Sequence, residues 1–214
     1  MSYGRGGPKG AAMIDDLDSS IASLLQTGLP QSIAEQLSIS FLTPDEDFPP
    51  QTVQEPAINL FLYDIRENRE LRSGETIMQR TDAGRVEKKK PPARVDCSYL
   101  VTAWVSRHSQ TQARDEHHLL GEVMRVLLQH PTLPAQVLQG ELVDQQPPLP
   151  TISLHSGRLQ SPGEFWQALG GKPKAGFHYT VTIGIDAQVS ADIGVPVTDK
   201  LLKFEQHQAG SEGQ

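Results

Sequence analysis

The residues best suited to chemistry lie within and just after one apolar stretch, residues 94–130. They are Cys97, the only cysteine of the chain, and the acidic and imidazole cluster from Asp115 to His118. A thiol beside a histidine base is the pattern of a nucleophile, whereas histidines and carboxylates together are the pattern of a metal site. Either site would make the chain a cysteine- or metal-dependent hydrolase.

The spacing within the sequence DEHH argues against a shared metal ion. Helical metal ligands stand three or four residues apart, as in HExxH, whereas the adjacent His117 and His118 point about 100° apart on a helix. Asp115 and Glu116 instead match acids near a helix N-terminus, where the macrodipole favours negative charge. We therefore predict no metal site.

Cys97 falls on the apolar face of a predicted strand, where a thiol is usually inert packing. No pattern in the sequence assigns it a general base among the histidines His108, His130, His155 and His178. The motifs GxGxxG, GxxxxGK[ST] and GxSxG do not occur. The sequence thus predicts no catalytic residue, no cofactor and no small-molecule substrate, and it nominates no enzyme.

A long strand and an amphipathic helix must position these residues. Alternate residues from Val95 to Val105 form one apolar face of the strand, while the other face begins polar at Arg94 and ends apolar at Trp104. Such a strand is predicted to be central. The helix that follows, residues 119–128, carries a broad apolar stripe, and we expect it to cover the second face of the sheet.

The order of the remaining patterns predicts an α/β (α+β) fold. It is a mixed, largely antiparallel sheet of four or five strands packed by two main helices, which begin near Ile14 and Leu119. Further strands are predicted around residues 37–41, 58–62 and 177–185, with a short edge strand at 152–154 and a short helix, at the sheet margin, from Pro162. We expect a flexible or partner-bound leader (1–13), one domain (14–187) and an extended tail (188–214).

Composition and charge exclude several classes of protein. The net charge of −7 over 214 residues argues against nucleic-acid binding, which requires phosphate neutralisation. The N-terminal residues have no apolar signal region and no run approaches a membrane span, so we expect cytoplasmic synthesis. A single cysteine excludes an intrachain disulfide.

Positive charge is concentrated in one block. Residues 66–94 contain nine Lys and Arg against five Asp and Glu, whereas the rest of the chain sums to −11. Within the block, residues 75–92 predict either a hairpin that turns at residues 82–84 or a solvated loop.

Four blocks of sequence, in this order and spacing, resemble a known family. They are NLFLYDIRENRELR, PPARVDCSYLVTAW, HHLLGEVMRVLLQHPTLP and GEFWQALGGKPKAGFHYTVTIGID. Together they resemble the cap, or tail terminator, proteins of extracellular contractile injection systems, which are phage-tail-like particles of the virulence-cassette and antifeeding-prophage types. The resemblance covers residues 14–186.

The resemblance implies a tail-terminator-like fold and a structural role. Such a cap forms a ring, typically hexameric, that ends inner-tube and sheath polymerisation and joins the two. Its partners are copies of itself, the inner-tube protein and the sheath protein, in a particle that is released or membrane-associated. An adaptor that tethers cargo or sheath without ending the tube is the alternative. The candidate contact surface, facing an acidic cap subunit, tube or sheath, is Arg66, Arg69, Arg80, Arg85, Lys88, Lys89 and Lys90.

Overall fold

The computed structural model describes residues 13–71, 77–80, 86–89, 91–106, 108–143, 145, 148–154, 162–186 and 191–192. Residues 1–12 of the predicted leader, the hairpin turn at residues 82–84 and most of the predicted tail lie outside these ranges, whereas Met13 already belongs to the first helix. The chain divides into two compact units, one of residues 1–73 with 92–187 and the other of residues 74–91 with 188–214. The predicted domain boundaries stay a prediction.

Four α-helices and eight strands form the described structure. The helices are α1 (Met13–Gly28), α2 (Gln31–Ala34), α3 (Gln112–Gln129) and α4 (Pro162–Ala168), with short 3-10 turns at Ala135–Val137 and Gly140–Leu142. The strands are β1 (Ser38–Ser40), β2 (Ala57–Glu67), β3 (Ile77–Arg80), β4 (Val86–Lys89), β5 (Ala93–Trp104), β6 (Thr151–Ser153), β7 (Gly176–Ile185) and β8 (Ala191–Asp192). No helix in the described part of the chain is long and apolar enough to cross a membrane.

The first unit is built on a five-stranded sheet with the strand order β1-β2-β5-β7-β6. β1 pairs with β2 in parallel, and the other three pairings are antiparallel. β5 is the central strand and β6 lies at an edge, as the sequence predicts. The predicted mixed, largely antiparallel α/β fold is confirmed.

The second unit contains a small three-stranded sheet. β3 and β4 are antiparallel, with Ile77 opposite Lys89 and Arg80 opposite Val86, so the backbone forms the predicted hairpin rather than a solvated loop. β8 pairs with β4 on its other edge.

Both main helices pack on the same face of the large sheet. Buried side chains from α1 and α3 meet the alternate apolar residues of β5, from Cys97 to Ala103, in one continuous core. α1 and α3 also touch each other directly, because a Cβ on Gly28 would lie 2.6 Å from Val126 Cγ1. The expectation that α3 covers the second face is therefore wrong. The first face of the sheet is apolar along its whole length. The apolar sides of α1 and α3 therefore bury more apolar area on this face than they would on the second face.

The apolar end of the second face is covered by a loop and by α4 instead. Phe48, from the acidic proline-rich loop at residues 43–56, and Trp166 of α4 pack with Leu100 and Trp104 in a second buried cluster. The rings of Phe48 and Trp104 meet edge to face with centroids 4.6 Å apart. The expectation that the helix from Pro162 lies at the sheet margin is therefore wrong, because α4 packs on the face of the sheet.

The polar end of the second face is organised by cross-strand hydrogen bonds. Ser98 Oγ lies 3.1 Å from Thr180 Oγ1 on β7. Asp96 accepts hydrogen bonds from Thr182 Oγ1, at 2.7 Å, and from Asn68 Nδ2. This end of the face is polar, as the sequence pattern predicts, and these pairs let Ser98 and Thr182 lie buried.

The two edges of the large sheet are completed differently. The Gln145 side chain pairs with the backbone of Gly184 on β7, donating from Nε2 to the carbonyl oxygen at 2.7 Å and accepting from the amide at 2.9 Å. Gln145 therefore continues the pairing along the outer edge of β7 that begins with β6. On the opposite edge, β1 pairs only with residues 57–59 of β2, and no other described strand pairs with that edge of residues 60–67.

Phe48→Ala should show that the loop is part of the core. Deleting this buried ring removes apolar burial and the contact with Trp104, so we expect a loss of about 3–5 kcal/mol in the free energy of unfolding, measured by urea denaturation. The matched change Leu42→Ala removes a side chain that is 50% exposed and should cost less than about 1 kcal/mol. Equal losses in the two variants would contradict this assignment.

Candidate interaction surfaces

Cys97 is sealed inside the first unit. Its side chain has 0% exposure, in contact with the helix-covered core. Burial, together with the negative charges of Asp18 and Asp96, raises the pKa of the thiol to about 12. A nucleophilic cysteine must be exposed and ionised, so the geometry removes the condition on which a cysteine hydrolase depends.

A partly buried hydrogen bond lies near Cys97. Tyr99 Oη donates to Asp18 Oδ1 at 2.7 Å and so links β5 to α1. Burial raises the pKa of Asp18 from its ordinary value of 3.8 to about 6, against the opposing effect of the Tyr99 hydrogen bond and with a further rise from Asp15. The carboxyl therefore changes its charge near neutral pH.

The DEHH cluster stabilises the start of α3. Asp115 accepts hydrogen bonds from the hydroxyls of Ser109 and Thr111. Glu116 forms an ion pair with Lys174 at 2.6 Å, and the Lys174 ammonium also lies 4.2 Å from the centre of the Trp104 ring.

His117 and His118 are exposed. Among the described residues, no three His, Cys, Asp or Glu side chains are grouped so that they could hold a metal ion. The acids of the cluster make helix-start and ion-pair contacts, in line with the sequence interpretation.

The predicted basic surface is only partly described. Arg66, at the end of β2, pairs with Asp64 at 2.8 Å, and Arg69 follows in an exposed turn. Arg80 ends β3, and two of the lysines lie on β4 opposite Met78 and Ile77. Arg85 and Lys90 lie outside the described residues. The hairpin thus brings Arg80, Lys88 and Lys89 onto two paired strands, and their role in a contact stays a prediction.

Sequence reasoning missed a second surface, formed by the acidic loop. An open cavity of about 450 Å³ is lined by Glu46, Asp47 and Glu55, with His108 at its border. An adjacent groove of about 310 Å³ shares Glu55 and Ser106 with it. The signal was present in the sequence, because a phenylalanine among the acids and prolines of the loop indicates attachment to a core.

Comparison with known proteins decides the family. The sequence model of the family described as the Pvc16 N-terminal domain matches residues 16–199. The chain belongs to this family. The match spans both described units, and the resemblance to tail terminators drawn from the four sequence blocks is confirmed.

Two solved structures resemble this member of the Pvc16 N-terminal domain family. The sheath/tube terminator of the PVC extracellular contractile injection system, in its extended state, is 27% identical with a TM-score of 0.66. The tube-terminating cap of the anti-feeding prophage is 23% identical with a TM-score of 0.65 and supports the fold. Each match covers 92% of this chain, but only 65% and 63% of the two larger chains. No curated protein sequence matches.

The Asp18 carboxyl should make the stability of this family member depend on pH. Its pKa is higher in the folded than in the unfolded chain, so its contribution to the free energy of unfolding is greatest below pH 3.8 and is lost as the pH rises through about 6. Asp18→Asn keeps an acceptor for Tyr99 without the charge. We expect it to raise the free energy of unfolding at pH 7.5 by about 1–2 kcal/mol, a range that allows for solvent screening, and to lose that advantage at pH 4.

The measurement is urea denaturation of both proteins at several pH values. Asp15→Asn, at an exposed position in the first turn of the same helix, is the matched control and should shift the curve much less. A wild-type minus variant difference that is the same at pH 4 and pH 7.5 would show that Asp18 does not titrate in this range.

Proposed function

We propose that the chain is a structural cap, the tail terminator of a contractile injection system. It forms a ring at the end of the particle, ends inner-tube and sheath polymerisation and joins the two. The observation that supports this most directly is the likeness to the PVC sheath/tube terminator over 92% of the chain, with 27% identity. Membership of the Pvc16 N-terminal domain family supports it further.

Terminating a polymer sets a physical requirement that this fold can meet. Tube and sheath subunits add through heterologous contacts that do not close along the axis. A terminator must bind the last ring while presenting a different surface outward. In this chain the two sheet edges differ, since β7 is covered by β6 and Gln145 while residues 60–67 of β2 have no described partner strand on their outer side. An open edge is a natural place for strand addition.

The proposed partners are copies of this chain, in a hexameric ring, together with the inner-tube and sheath proteins. Nucleic acid is a poor fit because the net charge is −7. We place assembly in the cytoplasm and the mature protein in a phage-tail-like particle, released or membrane-associated.

A structural role agrees with the described chemistry. The buried, protonated Cys97 cannot attack a substrate, and the acids of the DEHH cluster are engaged in local contacts. We therefore propose that the chain acts through its surfaces and not as an enzyme.

The second candidate is an adaptor that tethers cargo or sheath without ending the tube. The coverage supports this second candidate, because this chain matches only 65% of the length of the PVC terminator.

Removing the chain from cells that make the particle separates the two functions. If the chain ends polymerisation, its absence should give tubes and sheaths of broad, increased length and without caps, seen by electron microscopy, and re-expression should restore one length. An adaptor would leave tube length unchanged while the sheath or cargo detaches. Particles of normal length with sheath and cargo attached would contradict both functions.

A further inference from the structure

An apolar groove with acidic borders opens at the end of the first unit where β2 begins and β5 ends. Its volume is about 310 Å³. The floor is apolar and comes from four separate elements: α2, the residue before β2, the residue after β5 and the first half of α3. These floor residues are Ile33, Pro56, Val105 and Leu119.

Carboxylates also line this groove and the cavity beside it. Glu55 and Asp115 lie at the groove itself, with His118 beside them. Glu46 and Asp47 line the adjoining cavity, and Glu55 borders both. The groove therefore joins an apolar floor to a negative border.

Three of the border acids have no cationic partner among the described residues, unlike several other acids of the unit. Asp64, Glu116 and Glu122 are paired with Arg66, Lys174 and Arg125. In contrast, Glu46, Asp47 and Glu55 form no ion pair with any residue that the structure describes, and all three are exposed. Their charge is available to a cation from another molecule.

The combination of surfaces specifies the kind of side chain that would fit. Lysine and arginine bury a long apolar stem while keeping the charged head in contact with water or an anion. A lysine whose stem lies on the apolar residues of the groove would bring its ammonium group near the carboxylates that line the same groove, Glu55 and Asp115. A segment that carries several such residues close together would fit best.

This chain carries such a segment itself. We propose that the groove receives the β3–β4 hairpin of a second copy of the chain, whose two strands carry Arg80, Lys88 and Lys89, so that the positive charge of the hairpin meets the acidic border. The inference rests on the proposed ring. It is carried by charge complementarity, since residues 66–94 have an excess of four positive charges and the remainder has −11.

The contact is heterologous, and this agrees with a ring. Each copy offers a hairpin and receives one, so the interaction repeats around the circle until it closes. Two copies that exchange hairpins about a twofold axis would make the same contact twice and stop at a dimer. The ring of the proposed function requires instead that each copy contacts two neighbours.

A charge-swap experiment on the full chain tests the contact. The groove variant is Glu46→Lys/Glu55→Lys and the hairpin variant is Lys88→Glu/Lys89→Glu. We expect each to raise the Kd of the ring at least about tenfold, measured by mass photometry over a dilution series. The chain with all four substitutions restores opposite charges across the contact and should recover ring formation to within about threefold of wild type.

The matched control is Asp15→Lys/Glu70→Lys, which makes the same charge change at two exposed positions, one on α1 and one beyond the end of β2 that lies opposite to the groove. It should form rings like wild type. Ring formation by the groove variant at wild-type strength, or failure of the fourfold variant to recover although it folds by circular dichroism, would overturn the proposal. A hairpin bound in the groove of its own chain would give the first of these results.

Microscopy of particles separates this proposal from the terminator function. Capped tubes of normal length made with the groove variant, alongside uncapped, overlong tubes in cells without the chain, would overturn the groove contact and leave the terminator function standing. Normal tubes in cells without the chain would overturn the terminator function and, with it, the reason for a ring. We expect uncapped tubes both with the groove variant and in cells without the chain, and capped tubes again with the fourfold variant.

Discussion

The central strand β5 is buried on both faces over its second half, and the other elements are arranged to satisfy it. Tyr99, Val101 and Ala103 face one side, and Leu100 and Trp104 the other. A strand with two apolar faces needs a covering layer on each side of its sheet. α1 and α3 supply the first layer. The second is assembled from an irregular loop and the seven-residue helix α4, which supply Phe48 and Trp166.

This arrangement explains why an acidic loop has a defined position. A stretch with four prolines and four acids between residues 43 and 56 has no periodicity of its own and reads as solvated. Because Phe48 is needed to cover Trp104, the loop is held against the sheet at that point. The neighbouring carboxylates are then fixed at the rim of the groove, although they contribute nothing to the core themselves. The position of a polar surface thus follows from an apolar contact.

The periodicity of the sequence predicted the strands well, but it predicted less well which helix or loop packs on each face of the sheet. The alternation in β5 and the strands predicted around residues 58–62 and 177–185 identify β2, β5 and β7, and the two apolar faces of β5 make it central, since such a pattern reports local burial. The stripe on α3 shows that one side of that helix is buried but not which sheet face it meets. That choice depends on how much apolar area each face offers. Part of that area comes from Phe48, which lies in a loop 56 residues before Trp104 in the sequence.

The interaction surfaces were predictable only in their charge. Composition identified the basic block at residues 66–94, and β3 and β4 are paired as its hairpin pattern predicts. The acidic groove could not be found in this way, because Ile33, Glu55, Val105 and Leu119 come together only when four separate elements meet. A charge pattern along the chain identifies one partner of such a contact. The other partner exists only in the folded molecule.

The burial of Cys97 has a practical consequence for the whole molecule. Because the thiol has no exposed surface and its pKa is raised to about 12, we expect it to react with neither maleimides nor disulfide reagents while the protein stays folded. Because it is the only cysteine, the chain can be used for site-specific cysteine labelling without first replacing Cys97. One cysteine introduced at any surface position would carry a fluorophore or a spin label alone. Distances between copies in an assembled particle could then be measured without altering the core.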